Sequence, residues 1–111
     1  MTVFNQGDIV RFNFSPSQGH EPLGWRPGLV VSSVGFQVRT SMTLVCPITT
    51  TDNGFPLHMR LPDSVDEVYG CVATEQVRAF DLNARMAELV VSLGADDDFV
   101  LDVVNVVRSF F

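Results

Sequence analysis

Arg26 stands between Trp25 and Pro27 in the stretch GHEPLGWRPGLVV, residues 19–31, directly before a run of strand-forming residues. A guanidinium fork at the mouth of a strand is either solvated surface charge or a device that grips an anion such as phosphate in two places. As surface charge it would pair with Glu21, five residues earlier, for at most about 1 kcal/mol. His20, beside Glu21, has the chemistry of a general base. His20 and His58 lie far apart in sequence and show no metal-ligand spacing, so they read as polar loop or surface histidines. No nucleophile elbow, phosphate loop or paired-glycine fingerprint occurs, so neither a cofactor nor a metal is expected. Asp96, Asp97 and Asp98 read as a complement to a helix dipole, because adjacent carboxylates diverge around a helix axis.

The 111 residues suffice for one domain with a real core, expected to span 1–111. Hydrophobic residues make up 46% and charged residues 18%, which is a globular balance. The net charge of −6 argues against a protein that holds long nucleic acid by general attraction. Every basic side chain is arginine, however, and acidic residues gather toward the C-terminus while Arg11, Arg26 and Arg39 lie in the first half. A local positive site can survive a negative total. No window reaches the roughly eighteen apolar residues of a membrane span, and MTVFNQGD lacks the flank and core of a signal peptide, so a cytoplasmic location is expected. Cys46 and Cys71 sit in apolar stretches and read as buried thiols, not a disulfide.

The elements that must carry these residues are mostly short strands. DIVRFNF, residues 8–14, alternates in the manner of a half-buried strand; SPSQGHEPLGW is a loop; GLVVSS reads as the next strand. MTLVCPI, 42–48, is a near-continuous apolar run suited to a buried central strand. Residues 55–61, 69–74 and 88–93 supply further strands, with polar turns between them. DLNARMAEL, 81–89, has the composition of a brief helix. In DDDFVLDVVNVVRSF, Phe99, Val103, Val106, Val107 and Phe110 recur at helical spacing behind an acidic first turn. A small β-rich barrel with a terminal helix follows.

GDIVRFNFSPSQGHEPLGWRPGLVVSS resembles the start of the MazF/PemK family of toxin endoribonucleases, in its ChpB-like branch. Gly7, Asp8, Pro16, Gly19, Glu21, Gly24, Arg26, Pro27, Val30 and Ser32 occupy the family pattern. SMTLVCPITT resembles the family's third strand with its Pro-x-Thr ending, and TEQVRAFDLNAR the segment after the last barrel turn. The resemblance implies a mainly β, SH3-like (CcdB/PemK-type) barrel with a C-terminal α-helix. It implies a homodimer that cuts single-stranded RNA within a short sequence, without a metal, and a cognate MazE-like antitoxin. By carry-over, Arg26 and Thr49 are the catalytic pair, with Glu21 supporting them; Gly24, Trp25, Thr50, Gln76 and His20 bind substrate. Glu21 either holds Arg26 or accepts the 2′-OH proton, with His20 the other candidate base. Trp25 either stacks a base or packs under its own loop. A different class, a CcdB-like poison that binds DNA gyrase through a similar barrel, lacks support from Glu21, Arg26 and Thr49. A catalytically silent barrel is the remaining alternative.

Overall fold

The computed structural model describes residues 1–15, 24–51 and 54–111. Its elements run β1 (Asp8–Asn13), β2 (Trp25–Val30), α1 (Val34–Thr40), β3 (Thr43–Thr49), β4 (His58–Arg60), β5 (Cys71–Ala73), a 3-10 turn (Thr74–Gln76), β6 (Arg78–Phe80), β7 (Glu88–Ser92) and α2 (Asp98–Arg108). The strands form one antiparallel sheet in the order β4-β5-β3-β2-β1-β7, with β6 also paired to β3. Among the described residues the end strands β4 and β7 do not pair with each other. The barrel implied by the resemblance is therefore an open seven-stranded sheet in its hydrogen bonding.

Alternation along the strands assigns each side chain a face. Ile9 pairs with Leu29 and Leu29 with Cys46, which puts them, with Ile48 and Val72, on one face. That face is covered by Val100, Val103, Val104 and Val107 of α2. Val10, Phe12, Phe14, Val30, Val45 and Phe80 point the other way and form a second, aromatic cluster. α2 is capped by Asp97, whose carboxylate accepts the Val100 N–H at 3.2 Å, with Asp98 in the first turn and Arg108 in the last. Its buried stripe runs through Val100, Val103, Val104 and Val107 with Phe99 partly buried against the same core, whereas Phe110 is 39% exposed.

Three local differences from the sequence expectations have tertiary causes. The second strand begins at Trp25 and not at Gly28, since Asn13 and Phe12 of β1 pair with Trp25 and Arg26 and extend it. Arg26 is thus a strand residue. β6 forms because Thr43 and Val45 offer the far edge of β3 to Phe80 and Arg78. Residues 82–86 form turns where a helix was expected, with Met86 at φ 57°. The helix α1 has a local signal: the Ser33 hydroxyl accepts the Phe36 N–H at 3.3 Å as its N-cap.

Gln37 of α1 is fully buried and ties down the N-terminal segment. Its Oε1 accepts the Phe4 N–H at 2.8 Å and its Nε2 donates to the Thr2 carbonyl at 2.9 Å. Gln37→Leu should leave the buried Phe4 N–H without a partner, at a cost of about 1–3 kcal/mol. Urea unfolding reads this as a lowered midpoint at unchanged slope.

Candidate active site

The ladder between β2 and β3 ends at Gly28 and Pro47. Arg26 and Thr49 each lie two residues beyond it, toward the same end of the sheet and on the same face as that pair. Arg26 is exposed, and its guanidinium carbon sits 5.3 Å from the centroid of the Phe14 ring. Thr49 is half-buried; its hydroxyl accepts the Thr51 N–H at 3.2 Å, which leaves the hydroxyl hydrogen to donate elsewhere. A guanidinium and a hydroxyl thus stand at neighbouring strand ends, the guanidinium over an aromatic floor.

The floor is rigid. Phe12 stacks on Phe14 at 4.1 Å, and Phe80 meets both edge-on at 4.9 and 5.1 Å. Gly28 permits this closeness, since a Cβ there would stand 2.9 Å from Cζ of Phe14 and press on Val45. Two more arginines lie against Phe80: Arg78 at 4.9 Å and Arg85 at 5.1 Å from its centroid. Among the described residues no arginine is ion-paired with a carboxylate. Among the described residues an acidic chain therefore presents three arginines without carboxylate partners around one aromatic cluster, with its Asp-rich turn in front of α2.

Arg85 has a second task. Its Nη1 donates to the carbonyls of Asn13 and Ser15, at 2.8 and 2.9 Å. This fixes the chain where β1 leaves the sheet. At the other end of the intervening segment the Gly24 carbonyl accepts the Phe14 N–H at 3.0 Å. A side chain at Gly24 would collide with the Asn13 carboxamide, so its glycine serves close backbone approach. His20 and Glu21 lie outside the described residues.

The other expected substrate-binding residues are spread more widely. Trp25 is half-buried on the face opposite Arg26, because neighbours on a strand point apart. Thr50 is exposed and lines a narrow crevice with Arg60, Tyr69, Gly70 and Cys71. Gln76 is exposed on the 3-10 turn, and its amide donates to Glu75 Oε2 at 3.3 Å. Arg60, Tyr69, Glu75, Arg78 and Arg85 had no role in the sequence reading. Their signal, arginines next to aromatic or polar turn residues in a chain without lysine, is visible only once the strands are paired.

His58 and Glu75 form the ion pair seen among the described residues, Nε2 to Oε2 at 3.2 Å, with the Phe55 ring edge-on to the imidazole at 5.2 Å. Partial burial works against the ionised Glu75. Hydrogen bonds from its own backbone N–H, His58 and Gln76, and the His58 charge, outweigh it and hold the carboxyl below its ordinary value of 4.5. A carboxyl lowered by folding stabilises the folded state above its unfolded pKa, and that contribution is lost as the pH falls through the folded one. Glu75→Gln should therefore flatten the acid side of the stability profile below about pH 4.5. The pair is open to solvent on the Glu75 side, so the difference should stay at or below about 1 kcal/mol, read from urea midpoints across pH 3 to 6.

Cys46 and Cys71 are both buried, and neither forms a disulfide among the described residues. Burial first, and the Glu75 charge second, push the Cys46 thiol up to about 12, which removes it from nucleophilic chemistry at neutral pH. Among the described residues no three His, Cys, Asp or Glu side chains gather in a metal-binding group. No helix among them is long and apolar enough to cross a membrane.

An arginine fork and a threonine hydroxyl thus stand at neighbouring strand ends of a small antiparallel sheet backed by one helix, a mainly β protein of the toxin-barrel class. The chain belongs to the family of PemK-like, MazF-like toxins of type II toxin-antitoxin systems, whose pattern it matches over residues 5–111. It is 44% identical to the endoribonuclease toxin ChpB of Escherichia coli K12, over 85% of this chain and 83% of that one. It is 34% identical to the endoribonuclease toxin MazF of the same strain, over 77% and 75%. Its fold superposes on the crystal structure of MazF from Deinococcus radiodurans with a TM-score of 0.81, at 32% identity, over 99% of this chain and 97% of that one. A MazE-MazF structure from the same organism gives 0.82 at 30% identity, over 98% and 96%.

Proposed function

We propose that this chain is the toxin of a type II toxin-antitoxin system and an endoribonuclease that cuts single-stranded RNA within a short sequence, without a metal ion. The observation that carries the reading is the placement of Arg26 and Thr49 at adjacent strand ends on one cationic face. In the reaction, the ribose 2′-oxygen attacks the adjacent phosphorus while its proton passes to Glu21 or His20. The bond from phosphorus to the 5′-oxygen breaks, and that oxygen takes up a proton. The products are a 2′,3′-cyclic phosphate and a 5′-hydroxyl. Negative charge grows on the non-bridging oxygens during attack, so an Arg26 fork aimed there favours the transition state over the ground state. Arginine stays protonated, which suits charge stabilisation better than proton transfer. Thr49 donates to a phosphate oxygen from a side chain stiff at χ1.

The toxin acts in the cytoplasm as a homodimer and is held inactive by a MazE-like antitoxin. With a net charge of −6, its grip on RNA is short-range and centred on the arginine face, so binding weakens steeply with salt. A gel of defined single-stranded RNAs in EDTA tests the reading. Cleavage to fragments with 5′-hydroxyl ends is expected. Intact RNA, together with inhibition of DNA supercoiling by gyrase, would move the chain to the gyrase-binding class instead.

A further inference from the structure

A recess of about 210 Å³ opens where β4 turns into β5, with Leu61, Val65 and Val68 in its wall and Arg60 and Tyr69 at its mouth. It shares Arg60, Tyr69 and Gly70 with the adjoining crevice that Thr50 lines. Strand register ties it to the reacting centre: Thr49 pairs with Cys71, and Cys71 with Arg60, so the three form one row across the sheet. At the spacing of neighbouring strands, Arg60 stands about 10 Å from Thr49.

Three features of the recess point to one ligand class. Tyr69 lines the recess and is 71% exposed, so its ring face is available to a ligand. The Arg60 guanidinium lies 5.7 Å from its centroid, which steadies the ring and puts a phosphate-gripping fork at the mouth. Asp63 and Asp66 line the recess too, and neither is ion-paired among the described residues. Carboxylates repel phosphate but accept N–H groups, so they orient a nucleotide with its phosphate on the Arg60 and Thr50 side and its base inward. The volume lies below the roughly 300–1,000 Å³ of whole small-molecule sites, which suits a single ring system.

We propose that this recess seats one unstacked nucleobase of the RNA next to the scissile nucleotide, with Tyr69 as the stacking platform, Arg60 on the adjoining phosphate, and Asp63 and Asp66 selecting bases that carry an exocyclic amine. The proposal rests on the RNA-cutting reading above and adds a specificity element to it.

The test is cleavage of a pool of unstructured single-stranded RNA randomised over eight positions, followed by sequencing of the cut ends. The wild-type protein should show an excess of adenine, guanine or cytosine over uracil at one position near the cut. Tyr69→Ala should raise KM about 5- to 150-fold, in line with the loss of one base stack, with little change in kcat. Tyr69→Phe, which keeps the ring, should recover most of that loss. The double variant Asp63→Asn, Asp66→Asn should change the preferred base at that position alone. If the wild type cuts the pool but Tyr69→Ala cuts with the same KM and the same sequence preference, the subsite is wrong while the nuclease reading stands. If the wild type leaves the pool intact, both fall.

Discussion

Arg26→Ala should lower the single-turnover rate of RNA cutting by about 10²- to 10³-fold, the usual cost of removing one preorganised charge-stabilising group. The loss belongs in kcat, since the fork is matched to charge that exists only as the 2′-oxygen attacks. The fold should hardly notice. Arg26 is exposed, and its contact among the described residues is with the Phe14 ring at 5.3 Å, worth roughly 0.5–1 kcal/mol at an exposed site. Arg26→Lys should recover only part of the rate, because a point charge cannot bridge two phosphate oxygens. Cutting by Arg26→Ala at the wild-type rate, with an unchanged urea midpoint, would remove Arg26 from the chemistry.

Phe12→Ala should destabilise the protein by about 3–5 kcal/mol, the range for deleting a fully buried aromatic ring. Phe12 is 0% exposed and touches both other rings of the aromatic floor. Against a total stability of about 5–15 kcal/mol for a domain of this kind, calorimetry should show Tm falling by at least about 12 °C. The effect should reach the site as well. Arg26 rests over Phe14, and Arg78 and Arg85 over Phe80, so collapse of the floor tilts three cations at once. At a temperature where the variant is still folded, its cutting rate should fall below the wild-type rate. An unchanged Tm would mean that the aromatic cluster is not the second core that its burial makes it.

Much of this architecture was legible before any coordinates. β1, β3 and α2 carry strong periodic or apolar patterns because each buries a whole face against the core, and β7 reads as a strand through Leu89, Val90 and Val91 although it is only partly buried. The acidic start of α2 was legible as a dipole complement, while its division into a cap at Asp97 and a first-turn Asp98 was not. The weaker elements were not legible in the same way. β6, at Arg78–Phe80, has no pattern of its own and is a strand only because β3 has an edge to offer. β4 and β5 shrink to three residues each, since pairing between them runs only from His58–Ala73 to Arg60–Cys71. Local propensity decides little where so few residues meet.

The chain alone determined the residue types: an arginine before a proline, a threonine at the end of an apolar strand, a supply of positive charge made only of guanidinium groups, and the motif order that marks the family. Only the tertiary structure decided where those groups face. Pairing of β1 with β2 drew Arg26 into a strand and turned Trp25 away from it. The register through Thr49, Cys71 and Arg60 linked the Thr49 end of β3 to a recess that no motif announces. The reason is geometric: a strand exposes alternate residues to opposite faces, and which face becomes a site depends on partners distant in sequence.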